Sequence, residues 1–432
     1  MRGWLREAAG GLPRQFWFLW GGTLINRLGS FVLIYLAIYL TQDVGLSTSK
    51  AGLVIGAWGV GGGLGTLAGG VLSDRWGRRP TMLTAQFGAA ALMLTLGFAH
   101  GFWQLLVCTL LLGMFAEGVR PAFQAMMIDV VPDRDRVRAF SLNYWAVNLG
   151  FAASAVLAGV AAQADYLLLF VIDAGTTLVT AVVTLVFLRE TRPAVRARKA
   201  RRNGPGLGTV FRDRVFVSFL ALNFLIVLVV MQHQTTLPIA MAEDGLGAAT
   251  FGWVIAVNGL MIVAGQLFVP KLIEGYDRSR VLALATLILG IGFGLNAFAG
   301  GSVGFYVFTV VVWTLGEMLQ SPSNSALVAE LSPSLLRGRY QGVSSLSWSA
   351  GGALAPVVGG FAQEHAGSTV LWLSCAVLGV IVAAGQLISG PARERRASEL
   401  RVSPTLTKSP TSTETRHDED VTPPTAPRRP AR

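Results

Sequence analysis

The chain has 432 residues, 52% of them hydrophobic and only 14% charged, where a soluble domain carries about 25% charged residues. This balance excludes an ordinary soluble body and points to a polytopic membrane protein. The net charge is +11, but its placement along the chain, described next, argues against nucleic acid as its partner.

Residues 1–15, MRGWLREAAGGLPRQ, are basic and partly amphipathic. They lead into an apolar run longer than a signal-peptide core, so they are read as a cytoplasmic lead-in. A bilayer core needs about 20 apolar residues per helix. Twelve stretches qualify: 16–40, 51–72, 80–99, 102–128, 139–163, 166–188, 215–238, 249–270, 281–299, 303–328, 338–363 and 368–390. An even number puts both termini on one side. Of the 35 Lys and Arg, Lys50 falls on the other side and Arg27 and Arg120 fall within spans. The remaining 32 share the side of the termini, which the positive-inside bias makes cytoplasmic. Contact with anionic lipid is a second expected use of that charge. The 51 glycines suit helices packing through small residues. Cys108 and Cys375 both lie in apolar spans, so neither a disulfide framework nor a metal cluster is implied.

The longest internal connection, 189–214, holds nine Lys or Arg broken by Pro and Gly, and reads as a linker. It divides an N-terminal half, 16–188, from a C-terminal half, 215–390. Residues 391–432 contain seven prolines and the acidic patch Asp418-Glu419-Asp420. They hold too little apolar content to fold and are expected to be a disordered cytoplasmic tail. The halves repeat at an offset of 201 residues. Pro121 matches Pro322, Ala125 matches Ala326, Asp129 matches Glu330, and Pro132 matches Pro333. Arg136 and Arg138 match Arg337 and Arg339, and Gly150 and Gly159 match Gly351 and Gly360. The predicted fold class is therefore all-α integral membrane, with twelve transmembrane helices in two pseudo-symmetric six-helix bundles. Parallel repeats of six helices suggest two halves that rock about a central site.

Between the second and third spans stands GGVLSDRWGRRPTML, residues 69–83. It resembles the G-x-x-x-D-R-x-G-R-R loop signature of the major facilitator superfamily, with Asp74, Arg75, Gly77, Arg78 and Arg79 at the matching positions and Gly69 in the Gly69-Gly70 pair that opens it. The resemblance covers about residues 15–390. Physically, Asp74 sits just past a helix among guanidiniums, where it can pair with Arg75, Arg78 or Arg79 and face the positive end of a neighbouring helix. In the family this pairing is held to latch the cytoplasmic ends of the halves in the outward-open state. The second-half counterpart, EGYDRSR (274–280), keeps Asp277-Arg278 without the glycine framing. The family's antiporter signature on the fifth span has a G-x-x-x-G-P-like core. Here that span reads GFAASAVLAG (150–159), with Ser154-Ala155 in place of Gly-Pro, and the eleventh reads GGALAPVVGG (351–360). Gly150, Pro356, Gly359 and Gly360 are taken as helix-packing positions.

An ionisable group at the bilayer midplane costs about 2.5–3.5 kcal/mol or more and needs a partner or water. Arg27 lies about 12 residues into the first span, roughly 18 Å deep. Glu117 and Glu317 reach similar depths in the fourth and tenth spans, one residue out of the repeat register. In the superfamily the first, fourth, seventh and tenth helices line the central cavity, so the resemblance brings these charges to one cavity. Glu117, Arg120 and Gln124 follow one helix face, as do Glu317, Ser321 and Asn324. Arg27 and Arg120 are both candidate partners for Glu117, while Glu317 has no cation on its own span and is a candidate proton carrier. Asp173 is a second candidate titrating site, or a carboxylate hydrogen-bonded near the outer interface. His233 is placed near the outer end of the seventh span. Trp58, Trp145, Trp313 and Trp348 are candidate cavity walls.

No G-x-x-x-x-G-K-[ST], nucleophile elbow, zincin motif or Cys/His metal spacing occurs. Neither enzyme, cofactor nor metal chemistry is implied. The resemblance implies a monomeric secondary transporter of the cell membrane, working by alternating access on a small molecule. Its best-fitting subgroup is the drug:proton antiporter-like exporters, with Glu117, Glu317 and Arg27 coupling protons to substrate. The competing readings are an importer, by symport or uniport, and a receptor or scaffold that keeps the fold without moving substrate.

Overall fold

With no water in the bilayer core, the backbone polar groups of a spanning chain must be satisfied internally, and helices do this within one segment. A computed structural model of the protein describes residues 10–191, 208–266, 268–333 and 336–402. Residues 1–9, the centre of the predicted linker (192–207) and 403–432 of the predicted tail lie outside them. The described residues form α1 (Arg14–Leu28), α2 (Val32–Ile38, extended by a π-turn, Tyr39–Asp43), α3 (Thr48–Arg75) and α4 (Arg78–Gly97). Next come α5 (Phe102–Val130), α6 (Arg136–Ala164), α7 (Tyr166–Phe187) and the short α8 (Gly208–Arg212). Then follow α9 (Arg214–Val230), a 3₁₀ turn (Met231–Gln234), α10 (Thr236–Glu243), α11 (Ala248–Gly265) and the short α12 (Val269–Leu272). The last are α13 (Arg278–Gly294, extended by a 3₁₀ turn), α14 (Val303–Glu330), α15 (Arg337–Ala366) and α16 (Ser368–Val402).

Ten stretches among the described residues are long and apolar enough to cross a membrane. The two other predicted spans are α4, which opens on Arg78-Arg79, and α15, rich in Ser, Gly and Gln. Both are helical and packed among the rest, but their polar content lowers their hydropathy. Side-chain caps set several starts: Ser47, Asp165, Asp213, Asp277 and Ser302 each accept a backbone N–H of the first turn.

The repeat is visible in the elements themselves. α5 and α14 begin 201 residues apart, as do α6 and α15. The first long helix on each side of the linker is broken, at 29–31 and at 231–235, where uninterrupted spans were expected. Gly29 ends α1, and the buried Asp173 on α7 accepts the backbone N–H of Val32 at 3.2 Å, so the break is satisfied from outside the helix. On the other side Gln232 fills the same need, donating to Leu228 O and to Ala355 O at 3.1 Å.

Apolar cores show how the helices converge. The largest cluster joins Tyr35, Ile38, Ala155 and Leu169 to Ile226, Met241, Phe251 and Tyr306, so it spans both sides of the linker. It lies at the end carrying the 44–47 and 244–247 turns, here termed the far end. At the opposite, basic end, which carries residues 69–83, the cores are separate. Phe16, Leu19 and Met126 serve the first repeat, and Phe216, Leu282 and Leu331 the second. Large apolar side chains such as Leu67, Trp103, Val160 and Ile388 point outward, as lipid contact requires.

The tail does not begin at 391. α16 continues through Pro391 to Val402. Arg393 is almost fully buried, donates to Gln386 Oε1 at 2.5 Å and Ser279 Oγ at 3.2 Å, and covers the Phe219 ring. Arg396 reaches Asp213 Oδ2 at 3.3 Å, beside the Tyr340 hydroxyl that donates to the same oxygen. Apolar content missed this segment because its guanidiniums, not aliphatic side chains, hold it.

Candidate functional site

A cavity of about 1080 Å³ lies among α1, α4, α5, α6, α7 and α11. Its wall runs from Leu33, Trp58 and Met93 at helix mid-depth to Met82, Arg136, Leu188 and Pro270 at the basic end. The far end is sealed by backbone-to-backbone packing. A methyl at Gly59 of α3 would stand 2.5 Å from Ala353 Cα of α15, and one at Gly56 2.6 Å from Ala353 O. Gly52 meets the Pro356 carbonyl, and Gly360 lies where a methyl would be 2.6 Å from Thr48 O. On the other flank, Gly159 and Gly259 give the same close fit of α6 to α11. Polar ties reinforce the seal. The Tyr35 hydroxyl lies 2.8 Å from Ala155 O and 3.1 Å from Ala248 O, and Glu364 accepts the Ser49 N–H at 2.6 Å.

Arg27, Glu117, Arg120 and Asp173 all line this cavity. Glu117 is paired with Arg120, Nη1 to Oε2 3.4 Å, one turn along α5. Gly62 of α3 leaves the room, since a methyl there would sit 3.0 Å from Glu117 Cγ. The Arg27–Glu117 pair is not formed: among the described residues no carboxylate lies within 4.0 Å of Arg27. Arg27 is exposed to the cavity, and its Cβ would stand 2.5 Å from a methyl at Gly150. That glycine lets α6 close on α1. Asp173 serves the α1–α2 break rather than an outer interface, and Thr177, one turn on, accepts from Asn26 Nδ2 at 3.0 Å.

Glu317 and Asn324 do not line the cavity. The Glu317 carboxylate instead accepts from Asn258 Nδ2 of α11 at 2.9 Å, and Asn258 also reaches Thr314 Oγ1 at 3.1 Å. Asn324 Oδ1 is buried without a hydrogen-bond partner among the described residues. The one-residue slip between Glu117 and Glu317 turns the second carboxylate about 100° around its helix, which separates the two sites. Trp58 and Trp145 are cavity walls; Trp313 and Trp348 are not. Trp313 is buried between Phe293 and His233, with ring centroids 5.2 and 5.7 Å away. His233 lies in the mid-helix break, not near the outer end, because its span continues to Glu243.

The loop at 69–83 forms a local network. Arg78 is buried and bonds Asp129 Oδ2 at 3.1 Å, Ser73 O at 2.9 Å and Asp74 Oδ1 at 3.4 Å. The carboxylate facing a helix start is Glu190, not Asp74: it accepts the N–H groups of Arg78 and Arg79 at 2.9 and 3.0 Å. Gly77 has φ 124°, and a methyl there would meet Glu190 Oε2 at 2.5 Å, so only glycine serves. Gly69 presses on the Gly118 backbone of α5. Arg79 donates to Leu185 O at 2.5 Å, and Arg75 is exposed. The second repeat copies the core of this network, with Arg278 on Glu330 at 3.0 Å. Arg78–Asp129 and Arg278–Glu330 are thus the same bridge at offsets of 200 and 201. Reasoning from sequence missed Glu190 and Asn258. A polar Asn within the apolar run 248–265 was the available signal for the second.

The sequence profile described as Major Facilitator Superfamily matches residues 19–243 and 224–417. The chain belongs to the major facilitator superfamily. Its all-α fold is that superfamily's, and it is a multi-pass membrane transporter. The uncharacterized MFS-type transporter YqjV of Bacillus subtilis (strain 168) is 26% identical over 359 residues, 82% of this chain and 87% of the relative. The multidrug resistance protein MdtH of Escherichia coli (strain K12 / DH10B) is 26% identical over 375 residues, 84% of this chain and 91% of the relative. Among solved structures, a POT family transporter in complex with 5-aminolevulinic acid superposes with a TM-score of 0.76 at 16% identity, covering 89% of this chain and 98% of that one. The nucleoside transporter NupG superposes with a TM-score of 0.72 at 14% identity, covering 87% and 99%. These two likenesses concern the fold.

Proposed function

We propose that this superfamily member is a proton-coupled exporter of amphipathic small molecules, working by alternating access. The observation that carries the reading is the mid-depth cavity, open toward the basic end and sealed at the far end by contacts between the repeats. With the basic end cytoplasmic, the cavity loads from the cell interior. The halves 16–188 and 215–390 then rock so that the glycine-lined far-end contacts part and the basic ends meet, where the two arginine–carboxylate bridges face each other. The multidrug resistance relative MdtH favours efflux over uptake. Glu117, exchanging between Arg120 and a proton, and Glu317, held by Asn258, are the coupling carboxylates, and Asp173 sets the hinge of the first helix. The transporter acts as a monomer in the cell membrane, with its basic face on anionic lipid.

Reconstitution tests this. Proteoliposomes with an imposed pH gradient, offered a panel of amphipathic dyes and acids, are expected to show gradient-driven flux. Glu117→Gln and Glu317→Gln are each expected to remove its pH dependence. Gradient-independent flux in the parent, or full coupling in both variants, would remove the proton assignment. Absence of flux for every probe would remove efflux.

A further inference from the structure

The cavity is lined by three guanidiniums, Arg27, Arg120 and Arg136, against two carboxylates, Glu117 and Asp173. The partners are distributed unevenly. Glu117 is held by Arg120 at 3.4 Å, Asp173 by the Val32 N–H at 3.2 Å, and Arg136 donates to Ile128 O at 2.9 Å. Arg27 is left at mid-depth with neither an ion pair within 4.0 Å nor a side-chain hydrogen bond among the described residues. Glu117, Arg120 and Asp173 act on it only across space, the second as a like charge. A guanidinium held in this setting is an incomplete pair: it presents a planar fork of donors that fits a carboxylate with two parallel bonds.

The surroundings describe the rest of the ligand. Phe18, Trp58, Phe123 and Trp145 line the same space, and Trp145 is 38% exposed. An apolar body therefore finds aromatic faces beside the charge. The position of Arg27 is fixed from behind, because Gly150 brings the α6 backbone against its Cβ.

We propose that Arg27 is the recognition site for the carboxylate of an amphipathic organic acid whose aromatic or aliphatic body lies against Trp58, Phe123 and Trp145. The inference rests on the transport reading for its physiological use but makes a claim about binding alone. An acid, not a cationic amphiphile, completes this site. Glu117 stays with Arg120 when the acid is bound.

The test is equilibrium binding by isothermal titration calorimetry on the whole protein in phosphatidylcholine nanodiscs, where no anionic lipid competes. The probes are naphthaleneacetate, its neutral analogue naphthaleneacetamide, and the cation naphthylethylamine. The expected result is that the acetate binds about tenfold tighter than the amide, the size of one charge-assisted hydrogen-bonded contact, and that the amine binds weakest. Arg27→Gln collapses the acetate-to-amide ratio toward one, and Arg27→Lys, a charge without the fork, retains part of it. Retained amide binding serves as the check that each variant is folded. An amine as tight as the acetate, an unchanged ratio in Arg27→Gln, or no acetate binding would overturn the proposal. Loss of acetate binding on adding phosphatidylglycerol would assign the site to a lipid headgroup and overturn it too. Binding with the expected ratio but no flux in liposomes would refute the transport reading and leave the acid site standing.

Discussion

Replacing Gly59 by Ala places one methyl in the α3–α15 seam that closes the cavity toward the far end. The added carbon would stand 2.5 Å from Ala353 Cα and 2.5 Å from Gly352 C, where carbon atoms ordinarily approach to about 3.5–4.0 Å. Both neighbours are backbone, so neither can rotate away, and α3 and α15 must separate by roughly 1 Å. Overpacking of this kind costs about 1–3 kcal/mol, which changes the far-end closed population about 5- to 150-fold. The gain in helix propensity from Gly to Ala, up to about 1 kcal/mol, is shared by open and closed forms and cancels. Spin labels at Gln42→Cys and Ala366→Cys, both exposed at the far end, report the separation by double electron–electron resonance. Cys108 and Cys375 are replaced first. Gly59→Ala is expected to build a longer-distance population. Gly65→Ala, which overlaps Met114 O within the first repeat, is expected to lower thermal stability without that shift. Gly70→Ala, with open space around it, should leave the distance distribution unchanged and raise rather than lower thermal stability. A Gly59→Ala distribution that superimposes on the parent would refute the argument that glycine contacts hold the far end shut.

Glu364 gives a pH test of the same closure. It lies beyond the predicted span, and the Ser49 N–H, then the Ser49 and Ser47 side chains, hold its carboxyl below the usual range. A depressed value means the tie is fully present above the ordinary carboxylate range, about pH 4.3, and is lost as pH falls through the lowered value. The far-end distance should lengthen in that acid window, and Glu364→Gln should show the longer distance at neutral pH without further change on acidification. Arg78→Lys loses the fork that bonds Asp129 and Ser73 O together and is expected to cost about 1–3 kcal/mol of thermal stability. Arg278→Lys should cost less, because the Arg278 side chain is 45% exposed. Gly150→Ala pushes on Arg27 Cβ and should reduce flux severalfold. Gly175→Ala, with nothing within 4 Å, serves as the silent comparison in the same proteoliposome assay.

Much of this protein is legible in one dimension because lipid leaves few options. A chain with 14% charge and a dozen apolar runs must become helices, and the offset of 201 predicts the doubled architecture seen in α5–α14 and α6–α15. The Asp74–Arg79 loop was readable from its motif, but Arg78 takes partners 51 and 112 residues away, Asp129 and Glu190, that the motif does not name. Composition also fails in a definable way. It placed the start of a tail at 391, where Arg393 and Arg396 find buried partners from α13 and the start of α9. It read 16–40 and 215–238 as single spans, although the distant Asp173 satisfies a break in the first and Gln232, within the second break, bonds the distant Ala355 carbonyl.

The pairings at mid-depth belong to the same divide. Sequence alone determined that Arg27, Glu117 and Glu317 stand at comparable depth, since depth follows from counting residues at 1.5 Å each. Which of them meet depends on rotation about each helix axis, and one residue turns a side chain by about 100°. That rotation is set by the glycine seams against neighbouring helices. Only the tertiary structure could therefore decide that Glu117 takes Arg120, that Glu317 turns to Asn258, and that Arg27 faces the cavity with no ion pair among the described residues.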